Sequence, residues 1–352
     1  MHISQFEDVI NACRFCFMCR HIATIGNVTF CESDIPRGRA LILDRVGMHG
    51  PEELRNRDFV ETVYRAALSG ACRTHCVSSY DEVGLLLAAR RDIVELGEEP
   101  KEVRELADGI AAEFAPEVSG DAGDVLYLDP TAYTADQPEI AAAFGTIMDG
   151  ASIPYRTLRV NDTGKALAVL GFAKQAADLA ARLKEEIVAS GCRSVVTSCP
   201  SAFDALKNDF ARWGAPLEGV DVQHSATYLL GQVESGRIKP KTAGRTGYYI
   251  DSDFLRNYND LAAPPRALLE ACGYSLKRFG TNVEESFAMG EGALVLDRLR
   301  PGLVRRMRQY FVELMDSPDD LILTASPYTR RVLDTLGEPK VEVLSIEEAV
   351  AG

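Results

Sequence analysis

The chain has one tryptophan, five histidines and no apolar run approaching the ~18 residues that a membrane-spanning helix needs. Basic residues are also scarce: 38 Lys and Arg stand against 52 Asp and Glu, a net charge of −14 over 352 residues. That deficit excludes a broad nucleic-acid footprint, which depends on neutralising phosphates. The opening MHISQFEDVI has neither a basic stretch nor an apolar core after it, so no secretory signal is expected. Phosphate-binding P-loops, H-E-x-x-H and G-x-S-x-G are missing, and GEGALVLD (290–297) is no dinucleotide fingerprint, because it lacks G-x-G-x-x-G after a strand. These absences leave no site for hydride chemistry on the chain itself.

What is present is an ordinary globular balance, 46% apolar and 26% charged, with nine cysteines. In a chain expected to be cytoplasmic, cysteines point to metal or redox chemistry rather than to a disulfide framework. Five of them fall within residues 13–72 and a sixth is Cys76.

Residues 1–98 carry helical periodicity and no strand alternation. PEELRNRDFVETVYRAALSG (51–70) predicts a helix that starts at Pro51 and closes on Gly70, and a further helix and a Gly/Pro/Asp-rich link occupy 99–123. From residue 124, short β-rich runs (VLYLD, SVVTS, GYYID, LILTA) alternate with helical stretches. That alternation predicts an α/β fold with a mainly parallel sheet. Two motif pairs repeat at nearly one offset, SVVTSCPSAFDAL (194–206) with LILTASPYTRRVL (321–333) and TGKALAVL (163–170) with MGEGALVL (289–296). The spacing predicts a duplicated α/β unit, with halves at 124–236 and 237–352.

The N-terminal cysteines have a definite pattern. Cys13, Cys16 and Cys19 fit the first three positions of the ferredoxin run C-x2-C-x2-C-x3-C-P, while Ala23 and Thr24 stand where Cys-Pro belongs. In two-cluster ferredoxins the fourth cysteine of each run serves the other cluster. A second run laid over 66–77 finds Ala66, Ser69, Cys72 and Cys76 at its four positions. Cys76 is then the crossing ligand that completes the Cys13–Cys16–Cys19 set, so one [4Fe–4S] cluster is predicted on these four thiolates. The other cluster would need Ala23, Ala66, Ser69 and Cys72, of which one thiolate survives. A zinc set drawing on His21 and His75 is the alternative, and the same two histidines could tune a cluster through hydrogen bonds. Cys31 and Cys72 are expected to be buried thiols, or else a redox pair or partial replacements around the vacant cluster site; Cys192 and Cys272 are expected in the core.

These runs make the chain similar to the iron–sulfur subunits of the heterodisulfide reductase, glycolate oxidase and anaerobic glycerol-3-phosphate dehydrogenase type. DIPRGRALIL (34–43) resembles that family's S-P-R-G-R stretch. The resemblance implies a ferredoxin-like domain (1–98) followed by a duplicated cysteine-rich "CCG" domain. It also implies a subunit that takes electrons from a flavoprotein partner, which carries the flavin, and passes them to a downstream acceptor such as quinone, with further iron–sulfur subunits in the complex. No membrane insertion by this chain is expected, only peripheral association through partners.

Where the family has CCG and C-P-x-C, this chain has Asp162-Thr163-Gly164 and Cys199-Pro200-Ser201-Ala202, then Ala288-Met289-Gly290 and Ser326-Pro327-Tyr328-Thr329. Asp253 in IDSD stands for a further family cysteine. Among these positions Cys199 alone is a thiol, so no cluster is predicted in the α/β part. Cys199 is either a packed relic or, before the helix-starting Pro200, a nucleophilic thiol of a thiol/disulfide enzyme. Gly164 and Gly290 are expected to persist because the turn into a helix requires them. A purely structural or docking subunit is the other alternative.

Overall fold

The computed structural model describes residues 1–13, 16–120, 123–278, 287 and 289–352. Ala288 lies outside them. Among the described residues up to 112 the chain is helical, with Pro36–His49, Arg57–Tyr64, Glu82–Leu96 and Lys101–Ala112 as the main helices. Their starts are written locally. Pro36 occupies the first turn of its helix, Asn56 accepts from the N–H groups of Asp58 and Phe59, and Asp81 accepts from Gly84. The single helix expected over 51–70 is instead a 3₁₀ turn (Pro51–Arg55) and a helix (Arg57–Tyr64), because the Asn56 cap begins a new helix, and 66–70 is an irregular loop with Leu68 and Gly70 at positive φ.

The remainder is α/β, as the alternation predicts. One sheet contains β1 (Glu117–Gly120), β2 (Val125–Pro130), β3 (Tyr155–Val160), β4 (Ser194–Thr197) and β5 (Asp221–His224), in the order β1-β3-β2-β4-β5. The other contains β6 (Thr246–Ile250), β7 (Ser275–Lys277), β8 (Leu321–Thr324) and β9 (Val343–Ser345), in the order β7-β6-β8-β9. All pairings are parallel except β1 with β3. β2 and β8 are buried along their whole length, as strands covered on both faces must be. The parallel strands of both sheets run second-first-third-fourth. The link 99–123 also contains β1, a fully exposed edge strand that its composition does not announce.

Two features fix the N-terminal helices to the α/β part. Arg90, 1% exposed, donates to the carbonyls of Val63, Ala66 and Val169, and Tyr64 Oη donates to Leu170 O at 3.0 Å. Further along, Tyr258 Oη donates to Leu68 O at 2.5 Å, Asn257 Nδ2 to Ser69 O at 2.8 Å and Arg73 Nη2 to Asn257 O at 2.9 Å. The loop before Cys76 is thus held by the Phe254–Tyr258 turn, which is π-helical. No helix among the described residues is long and apolar enough to cross a membrane.

Candidate metal centre

Cys13 closes the helix Glu7–Ala12, its N–H donating to Ile10 O, and Cys76 closes Ala71–His75, its N–H donating to Cys72 O. Between them, 17–22 form tight turns, with Arg20 N donating to Phe17 O and Ala23 N to Arg20 O. Cys13, Cys19 and Cys76 are half-buried and Cys16 is exposed. Burial raises the Cys19 thiol above its ordinary range, and Glu82, Cys13 and Cys16 act on it in the same direction. Cys13 and Cys76 pack on the same apolar core. The rings of His21 and His75 meet edge to face, 5.6 Å between centroids. That contact brings residues 16–23 against the turn that ends at Cys76. The donor set is four thiols at two facing loops, which suits soft iron, so the residues fit the group expected of them.

The positions of the lost second set have a different environment. Cys72 is 4% exposed, and its thiol donates to Glu82 Oε2 at 3.5 Å. Burial, reinforced by the Glu82 charge, holds it well above the ordinary thiol range. Glu82 Oε1 in turn accepts from Arg39 Nη1 at 2.7 Å, an ion pair 5% and 6% exposed. Beside it, Arg65 makes a bidentate pair with the buried Asp34. The stretch DIPRGR owes its shape to this region: Asp34 and Arg39 form these pairs, and a Cβ on Gly38 would lie 1.8 Å from Glu32 O.

Cys31 corrects the expectation of a buried thiol. It is exposed, at the start of the Glu32–Asp34 turn, and its Sγ donates to Thr29 O. Cys192 and Cys272 are core residues, as expected. Cys199 lies two residues beyond the end of β4 and immediately before the helix Pro200–Asp204, but it is 3% exposed, 3.1 Å from Ser201 Oγ, and burial pushes its thiol up to about 12. A group so buried and so weakly acidic is protonated at neutral pH, the reverse of an activated nucleophile.

Asp162 and Asp253 put carboxylates at two of the lost family positions, and Glu291 follows directly after Gly290. Asp162, fully buried, accepts from Gly164 N at 2.6 Å and Tyr133 Oη at 2.8 Å. Glu291 accepts from Asp253 N at 2.6 Å and Ser252 Oγ at 2.9 Å, and Asp253 accepts from Gly292 N at 3.2 Å. Burial lifts Glu291 to about 7. Gly164 and Gly290 have φ of +94° and +96°, as turns into a helix demand. A Cβ on Gly164 would press on Ala176 O at 2.7 Å.

Sequence reading missed three groups here: Arg39, Glu82 and the buried Lys165 with its partners Asp204 and Asp209. The π-helical turn Ala205–Asp209 is what lets Asp204 and Asp209, five apart, reach one ammonium.

No family model matches the chain. It is similar to iron–sulfur oxidoreductases and ferredoxin-type proteins at low identity. It is 26% identical over 262 residues to "EtfAB:quinone oxidoreductase" of Syntrophomonas wolfei, covering 66% of this chain and 36% of that protein. A "probable membrane-anchored ferredoxin" of Chromohalobacter salexigens is 23% identical over 337 residues, covering 86% and 50%. The "probable iron-sulfur-binding oxidoreductase FadF" of Bacillus subtilis is 26% identical over 164 residues, covering 46% and 23%. The chain therefore spans half or less of the length of these relatives. A hypothetical protein from Helicobacter pylori shares the fold, with a TM-score of 0.62 at 8% identity over 98% of this chain and 74% of that one.

Proposed function

We propose that this chain is an electron-transfer iron–sulfur protein with a single [4Fe–4S] cluster on Cys13, Cys16, Cys19 and Cys76. It works as a subunit between a flavoprotein donor and a downstream acceptor. The observation that carries this reading is the His21–His75 contact, which sets the triple-cysteine loop against the turn ending at Cys76 while Cys72 is engaged by Glu82. The names of the relatives support it: two are iron–sulfur or ferredoxin proteins, and one is named for EtfAB and quinone. When bound, such a cluster accepts and releases one electron at a time without moving protons or making bonds.

The protein's own part is placement. Cys13 and Cys76 anchor the site on the apolar core, and Cys16 lies at the surface beside Phe17 and Met18, which are 67% and 44% exposed. A carrier reaches the site from that side. The domain division at 98 and 236, the flavin on a partner and the single cluster are parts of this proposal. In the α/β part, hydrogen-bonded carboxylates stand at cluster-ligand positions, which supports a scaffold there.

The test is iron and acid-labile sulfide content of anaerobically purified protein, with EPR after reduction by dithionite and by a reduced flavoprotein. About four iron and four sulfide per chain, with a signal that the flavoprotein also produces, is the expected result. Zinc without iron removes the proposal, and a cluster that dithionite reduces but no flavoprotein does reduces the chain to a scaffold.

A further inference from the structure

Glu82 opens the helix Glu82–Leu96, directly after its cap Asp81, where a helix favours negative charge. It is 5% exposed, and its two carboxylate oxygens have different partners. Oε1 accepts from Arg39 Nη1 at 2.7 Å, and Oε2 accepts from the Cys72 thiol at 3.5 Å. Cys72 forms a small apolar cluster with Ile22 and Ala71, and Cys19 packs against that cluster. A short contact path therefore runs from the Glu82 carboxylate through Cys72 to the neighbourhood of a proposed ligand. Along this path the carboxylate stands between Arg39 and Cys72. Beyond the effect of burial, the Glu82 charge acts on the Cys19 thiol.

A buried negative charge opposes the arrival of another. A cluster on Cys13, Cys16, Cys19 and Cys76 would take one electron from its donor and so gain one unit of negative charge. In surroundings of low dielectric, which water and salt screen little, a carboxylate this close makes that gain harder. Net charge is one of the quantities that set the potential of an iron–sulfur centre. A carboxylate that served only to start the helix and to pair Arg39 would leave the potential alone.

We propose that Glu82 sets the reduction potential of the cluster by holding it low, with Arg39 as the counter-charge that partly offsets it. The inference rests on the one-cluster reading above. It gives the residues around Cys72 a task other than ligation: they make the reduced centre a stronger donor to whatever accepts its electron.

The test is a dithionite titration of the anaerobically purified, iron-loaded protein, followed by EPR. Glu82→Gln keeps the shape of the side chain and removes its charge, and it is expected to raise the midpoint potential at low and at high salt alike. The double variant Glu82→Gln with Arg39→Gln leaves no buried charge unpaired, and its midpoint is expected between those of wild type and the single variant. A midpoint of Glu82→Gln at or below that of wild type overturns the proposal. So does a double variant at or above the single one, because loosened packing rather than charge would then be the cause. If Glu82→Gln alone does not fold, the double variant decides: a midpoint above wild type supports the proposal, and one at or below it refutes it. Iron content separates the two failures. About four iron with an unshifted midpoint removes the role of Glu82 alone, whereas about eight iron, or zinc in its place, removes the one-cluster reading and this inference with it.

Discussion

Gly292 lies against the carbonyl of Leu68 so closely that a Cβ on it would be 1.9 Å from the oxygen. The Leu68 carbonyl also accepts from Tyr258 Oη, so it cannot turn aside without losing that bond. Gly292→Ala is expected to destabilise the protein by about 2 kcal/mol or more, the scale of core overpacking, and to lower cluster retention together with stability. Urea unfolding followed by circular dichroism reads the first and iron content the second. Unchanged stability would mean that the two segments separate freely.

Cys72 and Cys76 are expected to part company. Cys76→Ser should lose most of the bound iron, because it removes one of the four proposed thiolate ligands. Cys72→Ser should keep it, because the Cys72 thiol is committed to Glu82. Iron and sulfide assays on the two variants compare them directly. Equal loss in both would place Cys72 among the ligands.

Arg90 is a second joint between the halves of the chain. Burial lowers it to about 10, and its guanidinium satisfies three carbonyls from two different segments. Arg90→Met strands those carbonyls and is expected to cost about 3 kcal/mol. Arg90→Lys recovers only part of this, since an ammonium cannot reproduce the planar fork. Denaturant midpoints at constant m-value give the comparison.

A pH effect follows from Glu291. Its folded value, lifted to about 7 by burial, lies above the unfolded value near 4.5, so between those limits the native state holds the extra proton. Its contribution to stability is complete below about 4.5 and is lost as pH rises through 7. His224 acts oppositely: burial lowers it to about 4, so it penalises folding as pH falls below about 6.5. Glu291→Gln removes the first effect and leaves the second. The difference in unfolding free energy between wild type and Glu291→Gln is therefore expected to move in favour of the variant between pH 5 and 8. A difference that is flat across that range refutes the assignment.

Thiol labelling separates exposed from buried cysteines. Iodoacetamide at pH 7.5 is expected to modify Cys31 in the native protein and to leave Cys199 unmodified until denaturant is added. Peptide mass mapping scores both. Rapid native labelling of Cys199 would revive a thiol chemistry for it.

How much of this was legible depended on how local the cause is. VLYLD, SVVTS, GYYID and LILTA are readable as strands because they are short apolar runs at the centres of their sheets. Residues 275–277 and 343–345 form edge strands of three residues, half-buried and partly polar, with no pattern to read. The Asn56 cap that splits the helix over 51–70 was visible in the sequence, but Pro51 and Gly70 made more obvious end marks. The cysteine spacing is a local signal and gave the candidate ligands. The Arg39–Glu82 pair joins residues 43 apart and belongs to no motif, so only the folded chain reveals what surrounds Cys72.

The clamp on residues 68–73 bears on distance. Leu68 O, Ser69 O and the Arg73 side chain are each hydrogen-bonded to Asn257 or Tyr258 of the Phe254–Tyr258 turn. Electron tunnelling falls off steeply with separation, so a redox centre on a swinging arm works at a rate set by how often the arm arrives. Here the turn that ends at Cys76 is hydrogen-bonded to the α/β part, so a cluster held there, as proposed, would not ride on a swinging arm. Under the proposed function the tunnelling gap would then be a fixed dimension, set when the subunits dock rather than searched for at each turnover.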